Sequence, residues 1–153
     1  MKNFIKTILL VDDDLDDQTF FEEALKVVDR SITLHTAKDG VDAIEQLMVK
    51  RPDVILLDLN MPRMNGVEFL QELKSSNRFR DIPVIIYSSF LSTCDKVEVM
   101  SLGAKEFVRK PIAFGETVKT IEQLLGKNVS QEQSVMHPAF LQGQPVVAVN
   151  LKF

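Results

Sequence analysis

Cysteine is almost missing from this chain. Cys94 stands alone among 153 residues, so no internal disulfide can form and no thiolate metal cluster can be built. Histidine is nearly as scarce. His35 lies in a short apolar run and His137 near the C-terminal end, so the two make no metal constellation. A basic excess is also absent: 18 Lys+Arg face 22 Asp+Glu, for a formal net charge of -4 and a pI near 5.2. Proteins that grip a nucleic-acid backbone carry the opposite balance, so direct nucleic-acid binding is not expected. No apolar run approaches the roughly 20 residues a membrane-spanning helix needs. Met1 to Thr7 lacks the apolar stretch of a signal peptide. These absences lead to the expectation of a cytoplasmic protein with no membrane partner.

What is present is ordinary globular material, 45% hydrophobic and 26% charged. A chain of this size can bury about 68–70% of its unfolded surface, enough for one domain with its own core. Short apolar runs alternate with amphipathic stretches. Ile8-Leu9-Leu10-Val11 stops at Asp12, Val54-Ile55-Leu56-Leu57 at Asp58, and Val84-Ile85-Ile86-Tyr87 at Ser88. Weaker runs, Ile32 to Ala37 and Phe107-Val108, make five in all. Such unbroken runs suit strands covered on both faces by helices. Between them the helical stripes are Phe21/Leu25/Val28 (widened by Phe20 and Ala24), Ile44/Leu47/Met48, Val67/Leu70/Leu73, Val97/Met100/Ala104 and Phe114/Val118/Ile121/Leu125, with Gly126 placed to end the last. The pattern predicts an α/β, doubly wound (βα)5 flavodoxin-like three-layer sandwich with a five-stranded parallel sheet of order 2-1-3-4-5.

Residues 1–126 form the expected domain, and 127–153 form a C-terminal extension of different character. There Val147, Val149, Leu151 and Phe153 share one face of an expected extra strand. Such a strand could join a sheet edge or reach a second subunit as the arm of a homodimer.

Asp12, Asp13, Asp14, Asp16 and Asp17 crowd the end of the first run. Asp14 suits a helix cap, and Asp16 and Asp17 suit the positive helix N-terminus. Asp12 and Asp13 are not explained that way, and Asp58 ends the third run. In open α/β sheets ligands bind beyond the carboxyl ends of the strands where strand order reverses. That point brings Asp12, Asp13 and Asp58 together. Three carboxylates in one crevice repel unless a cation is present, and an all-oxygen set suits a hard ion such as Mg²⁺. The fourth and fifth runs deliver Ser88 and Lys110 to the same edge, donors that an incoming anion would use. Acids for a metal, with a hydroxyl and an ammonium for an anion, describe a phosphoryl-transfer site. Without those five acids and Asp58, 16 acidic residues would face 18 basic ones. The negative charge is therefore largely local to this crevice and the helix beside it.

Four segments, Val11-Asp12-Asp13, Asp58-Leu59-Asn60-Met61-Pro62 with Gly66, Pro83 to Ser88, and Lys110-Pro111, resemble a stand-alone response-regulator receiver domain over about residues 6 to 125. The resemblance implies that Asp58 accepts a phosphoryl group from a sensor histidine kinase or phosphotransfer protein. It further implies that Asp12, Asp13, Asp58 and the backbone carbonyl of Asn60 hold Mg²⁺, and that Lys110 and Ser88 bind the phosphoryl oxygens. Phe107 occupies the place of the family's switch aromatic, and the Lys110–Pro111 bond is expected to be cis. Phosphorylation would offer Ser88 a partner it lacks, draw it inward and let Phe107 rotate, altering a face for an unidentified downstream protein. The protein would thus be a signalling switch that assists its own phosphorylation and dephosphorylation. No output domain is expected after the receiver.

Ser89 departs from the small apolar residue usual after the switch hydroxyl. Phe90, two positions beyond Ser88, would obstruct a hydrolytic water and slow self-dephosphorylation. Met61 and Met64 read as packing residues. The chief alternative is a haloacid-dehalogenase-like Mg-dependent phosphatase with Asp12 as nucleophile, although Asp16 breaks that family's pattern. A flavodoxin-like cofactor binder would need a phosphate-cradling loop after the first strand, and none follows it.

Overall fold

The computed structural model describes residues 4–89 and 92–126. Ten elements alternate: β1 (Thr7–Val11), α1 (Leu15–Val28), β2 (Thr33–Ala37), α2 (Gly40–Val49), β3 (Val54–Leu57), α3 (Gly66–Ser75), β4 (Val84–Ser88), α4 (Thr93–Ser101), β5 (Glu106–Arg109) and α5 (Phe114–Leu125). The five strands form one sheet of order β2-β1-β3-β4-β5, every pair parallel. The extra strand foreseen after Gly126 lies outside the described residues.

Strand residues point alternately to opposite faces, and each face of this sheet has its own core. Ile8, Leu10, Val54, Leu56, Ile85 and Tyr87 pack with α1 and α5 through Phe21, Leu25 and Ile121. Leu9, Val11, Ile55, Leu57, Val84 and Ile86 pack with α2, α3 and α4 through Leu47, Phe69, Leu70 and Val99. This two-sided burial is why β1, β3 and β4 read as unbroken apolar runs. Helix ends follow local chemistry. Asp14 caps α1 as foreseen, accepting from the N–H groups of Asp16 and Asp17. Asp39 caps α2, and Asn65 with Glu68 forms a capping box on α3. Gly126 ends α5 in the left-handed region at φ 69°.

The stripe expected on the fourth helix is corrected. Val97 and Met100 are exposed, Ala104 is buried beyond the helix end, and Val99 is the residue that α4 buries. Two residues are separated by about 200° around a helix, so seating Val99 in the core turns Val97 to solvent. Met48, foreseen in the second stripe, is also exposed, whereas Leu47 and Ala43 are buried. Met61 is buried in the core beneath α2 and α3, and Met64 packs against it, consistent with packing roles. No helix among the described residues is long and apolar enough to cross a membrane.

Candidate functional site

The sheet carries Asp12, Asp58, Ser88 and Lys110 to its carboxyl edge. The Asp12 N–H donates to the Ala37 carbonyl at 2.9 Å, and the Asp58 N–H to the Val11 carbonyl at 2.9 Å. The ladders thus continue one residue past β1 and β3, placing both aspartates at a fixed height where strand order reverses. Ser88 ends β4, and the Lys110 N–H donates to the Ser88 carbonyl at 3.0 Å.

Asp12, Asp13 and Asp58 each offer a carboxylate oxygen, and these atoms all lie within 4.8 Å of one another. Asp12 is wholly buried and Asp58 nearly so, while Asp13 is exposed. Lys110, with its side chain 8% exposed, places its ammonium 2.6 Å from Asp12 Oδ2, 2.9 Å from Asp17 Oδ2 and 3.0 Å from Asp58 Oδ2. Asp12 Oδ1 accepts from the Asp14 N–H at 3.0 Å. Asp12 Oδ2, although close to the ammonium, accepts no well-aligned hydrogen bond. Three carboxylates in one all-oxygen cluster, one of them wholly buried, fit a hard divalent cation such as Mg²⁺.

The electrostatics follow from burial and crowding. Burial pushes the Asp12 carboxyl from 3.8 up to about 6; the field of Asp58 adds to this, and contacts with Lys110 and the Asp14 N–H oppose it. Burial works against the charge of Lys110. Its close contacts with Asp12 and Asp17 and the field of Asp58 outweigh it and raise the ammonium's pKa. Lys110 is therefore a fixed, nearly buried positive charge.

Asp58 is held by several donors. The Ser88 hydroxyl donates to Asp58 Oδ1 at 2.9 Å, and the Asn60 N–H donates to the same oxygen at 3.2 Å. This corrects the expectation that Ser88 lacks a partner. A fully buried hydroxyl must be satisfied, so a phosphoryl group would exchange its acceptor instead of supplying its first. Ser89 is exposed. Phe107 is partly buried against the core beneath α4, with the Lys96 ammonium 4.5 Å from its ring centroid. The Lys110–Pro111 bond is trans, contrary to the cis expectation. The proline imide gap is only about 0.5–1 kcal/mol, so surroundings choose the isomer. Phe90 lies outside the described residues.

Asp17 is the site residue missed in the sequence. Its place in the first helical turn accounted for it through the helix dipole, yet the turn also aims it at Lys110. Its only signal was position, one turn beyond Asp13. Gln18 was missed too: its amide donates to the Asp12 carbonyl at 2.6 Å and ties α1 to the acidic turn.

A family model described as the response regulator receiver domain matches residues 8–122. The chain belongs to the response-regulator receiver family. It is 33% identical over 127 residues to the transcriptional regulatory protein PrrA of Mycobacterium tuberculosis, covering 83% of this chain and 53% of that protein. The receiver thus spans about half the length of the curated relatives it matches first. Among solved structures, it resembles the phosphorylated cyanobacterial phytochrome response regulator RcpA. The TM-score is 0.73 at 30% identity, covering 82% of this chain and 96% of that one. It also resembles the Mn(2+)-bound form of response regulator Rcp1, with a TM-score of 0.72 at 28% identity, covering 78% and 94% of the two chains. The family match displaces the haloacid-dehalogenase-like reading. Receivers of this family take a phosphoryl group from histidine kinases and bind Mg²⁺ at an acidic pocket, and here Asp12, Asp13 and Asp58 lie close together.

Proposed function

We propose that residues 1–126 act as a phosphoacceptor switch with Asp58 as the phosphorylated residue. The observation that carries this reading is the placement of the Lys110 ammonium between Asp12 and Asp58, with the Ser88 hydroxyl on the other oxygen of Asp58. An Asp58 carboxylate oxygen forms the new P–O bond. The P–N bond of the donor phosphohistidine breaks, and its electron pair stays with the leaving imidazole, which then takes a proton. Lys110 neutralises charge that spreads over the phosphoryl oxygens, and Ser88 transfers its hydrogen bond from Asp58 to one of them. Asp12, Asp13, Asp58 and the Asn60 carbonyl would hold Mg²⁺, which supplies further neutralisation of phosphoryl charge. Positioning and electrostatics carry most of such a reaction, so these groups also let the protein assist its own phosphorylation and dephosphorylation. The descriptions of RcpA as phosphorylated and of Rcp1 as Mn(2+)-bound support the same assignments.

The movement of Ser88 makes room for Phe107 to turn inward and alters the face formed by α4, β5 and α5. A partner protein reads that face. The donor is a sensor histidine kinase or phosphotransfer protein, and the working compartment is the cytoplasm. Mass spectrometry of wild type and Asp58→Asn after acetyl phosphate plus Mg²⁺ tests the assignment. One added phosphoryl group in wild type and none in the variant is expected. An adduct that persists in the variant, or never forms in wild type, overturns it.

A further inference from the structure

The loop after Asp58 is tied to α2 by a contact that the transfer chemistry itself does not use. Arg63 is the only non-glycine residue among those described with a positive φ, 60°. A long side chain holds that conformation only where its surroundings over-determine it. Here Arg63 Nε donates to Asp39 Oδ2 at 2.6 Å. The Asp39 side chain is 2% exposed, and its Oδ1 caps α2 by accepting from the Asp42 N–H at 2.9 Å. Beside this pair the Gly40 N–H donates to the Met64 carbonyl at 3.2 Å. The Met64 side chain fills the space that a Cβ on Gly40 would need. Residues 63 and 64 are thus seated on the first turn of α2. The loop is closed at its far end by the Gly66 N–H, which donates to the Leu59 carbonyl at 3.1 Å. Between these anchors and Asp58 lies Asn60, whose N–H reaches Asp58 Oδ1.

We propose that Arg63 is a positioning residue for the phosphoryl-transfer site: its ion pair with Asp39 locks the 59–66 loop onto α2 and fixes the Asn60 backbone beside Asp58, so that breaking the pair weakens divalent-cation binding in the acidic crevice. The proposal rests on the function assigned above, in which the Asn60 carbonyl is a cation ligand. It adds a residue whose partner is the cap of α2, 24 positions away in sequence.

The test is Mg²⁺ titration by calorimetry on the full chain, with thermal unfolding in Mg²⁺-free buffer as a parallel readout. Arg63→Gly deletes the guanidinium and also relieves the left-handed backbone. Asp39→Asn keeps an oxygen for the α2 cap but deletes the charge. Each is expected to weaken Mg²⁺ binding by about tenfold, the scale of lost outer-shell support. The double variant should be no worse than the weaker single, because one contact can be lost only once. Both single variants should still unfold in one cooperative transition, so that the Mg²⁺ titration reads folded protein. Asp13→Asn, which removes a ligand outright, separates the two levels of the argument. If Asp13→Asn loses Mg²⁺ while Arg63→Gly binds as tightly as wild type, the positioning role is overturned and the site reading stands. If wild type binds no Mg²⁺, or Asp13→Asn binds it unchanged, the site reading falls and takes this proposal with it.

Discussion

Gly66 offers a sharp test of how closely α3 is packed against the phosphoacceptor. A Cβ built there would sit 2.5 Å from the Asp58 carbonyl oxygen and 2.6 Å from Leu59 Cα. Both are backbone atoms, so neither can swing aside as a side chain could. Ordinary contact begins near 3.4 Å, so Gly66→Ala must drive the two segments apart by nearly an ångström. Helix propensity favours alanine by about 1 kcal/mol, whereas overpacking of this kind costs about 1–3 kcal/mol. The clash is expected to win, with a net loss of up to about 2 kcal/mol by urea denaturation and m unchanged. The same displacement moves Asp58 against Lys110 and Ser88, and an ångström of misplacement at reacting atoms can cost about 100-fold in rate. Two other glycines serve as controls. The atoms nearest a Cβ on Gly40 are Cγ, Sδ and Cβ of Met64 at 2.7–2.9 Å, side-chain and not backbone atoms, so Gly40→Ala should cost less than Gly66→Ala. Gly115→Ala meets nothing within 4 Å and should stabilise by about 0.5–1 kcal/mol. Acetyl-phosphate labelling rates for the three variants complete the experiment. A Gly66→Ala protein as stable and as rapidly phosphorylated as wild type would refute the reasoning.

Three further outcomes are expected. The Asp12 carboxyl, pushed up to about 6 chiefly by burial, holds its proton more tightly folded than unfolded. Its contribution to stability in Mg²⁺-free buffer is therefore full below pH 3.8 and lost as pH rises through 6. The same proton competes with a cation, so Mg²⁺ affinity by calorimetry should be roughly tenfold weaker at pH 5 than at pH 7; equal affinities would contradict the Asp12 assignment. Lys110→Met removes the ammonium 3.0 Å from Asp58. It should slow acetyl-phosphate labelling by about 100-fold or more while Mg²⁺ binding tightens, and a wild-type labelling rate would dismiss Lys110 from the reaction. Lys96→Met keeps the apolar stem but removes the charge over the Phe107 ring. A cation–π contact of about 0.5–1 kcal/mol predicts a two- to fivefold rise in the minor Phe107 conformer by NMR relaxation dispersion, and an unaltered population would show that Lys96 does not restrain the aromatic.

Much of this protein was legible along the chain because its determinants are local or periodic. β1, β3 and β4 are apolar on both faces, so each reads as a continuous run. Asp12, Asp58, Ser88 and Lys110 are legible because each stands where such a run, or the weaker one of β5, gives way. Asp14 and Gly126 are caps, whose chemistry is confined to one helical turn. Contacts that depend on orientation were not legible. The apolar stripe of α4 was misplaced because nothing within nine residues says which side of a short helix meets the core. The partner of Ser88 required the spacing of β3 and β4 across the sheet. Asp17 looked complete as a dipole residue until α1 was seen to aim it at Lys110, 93 positions away. The Arg63–Asp39 pair joins two loops with no sequence motif in common, and only the left-handed backbone at Arg63 draws attention to it. By itself, then, the sequence determined which residues reach the carboxyl edge of the sheet, because strand length and burial are properties of a segment. Only the tertiary structure decided which atoms meet there, because hydrogen bonds and ion pairs depend on distances that parallel strands and their crossover helices set jointly.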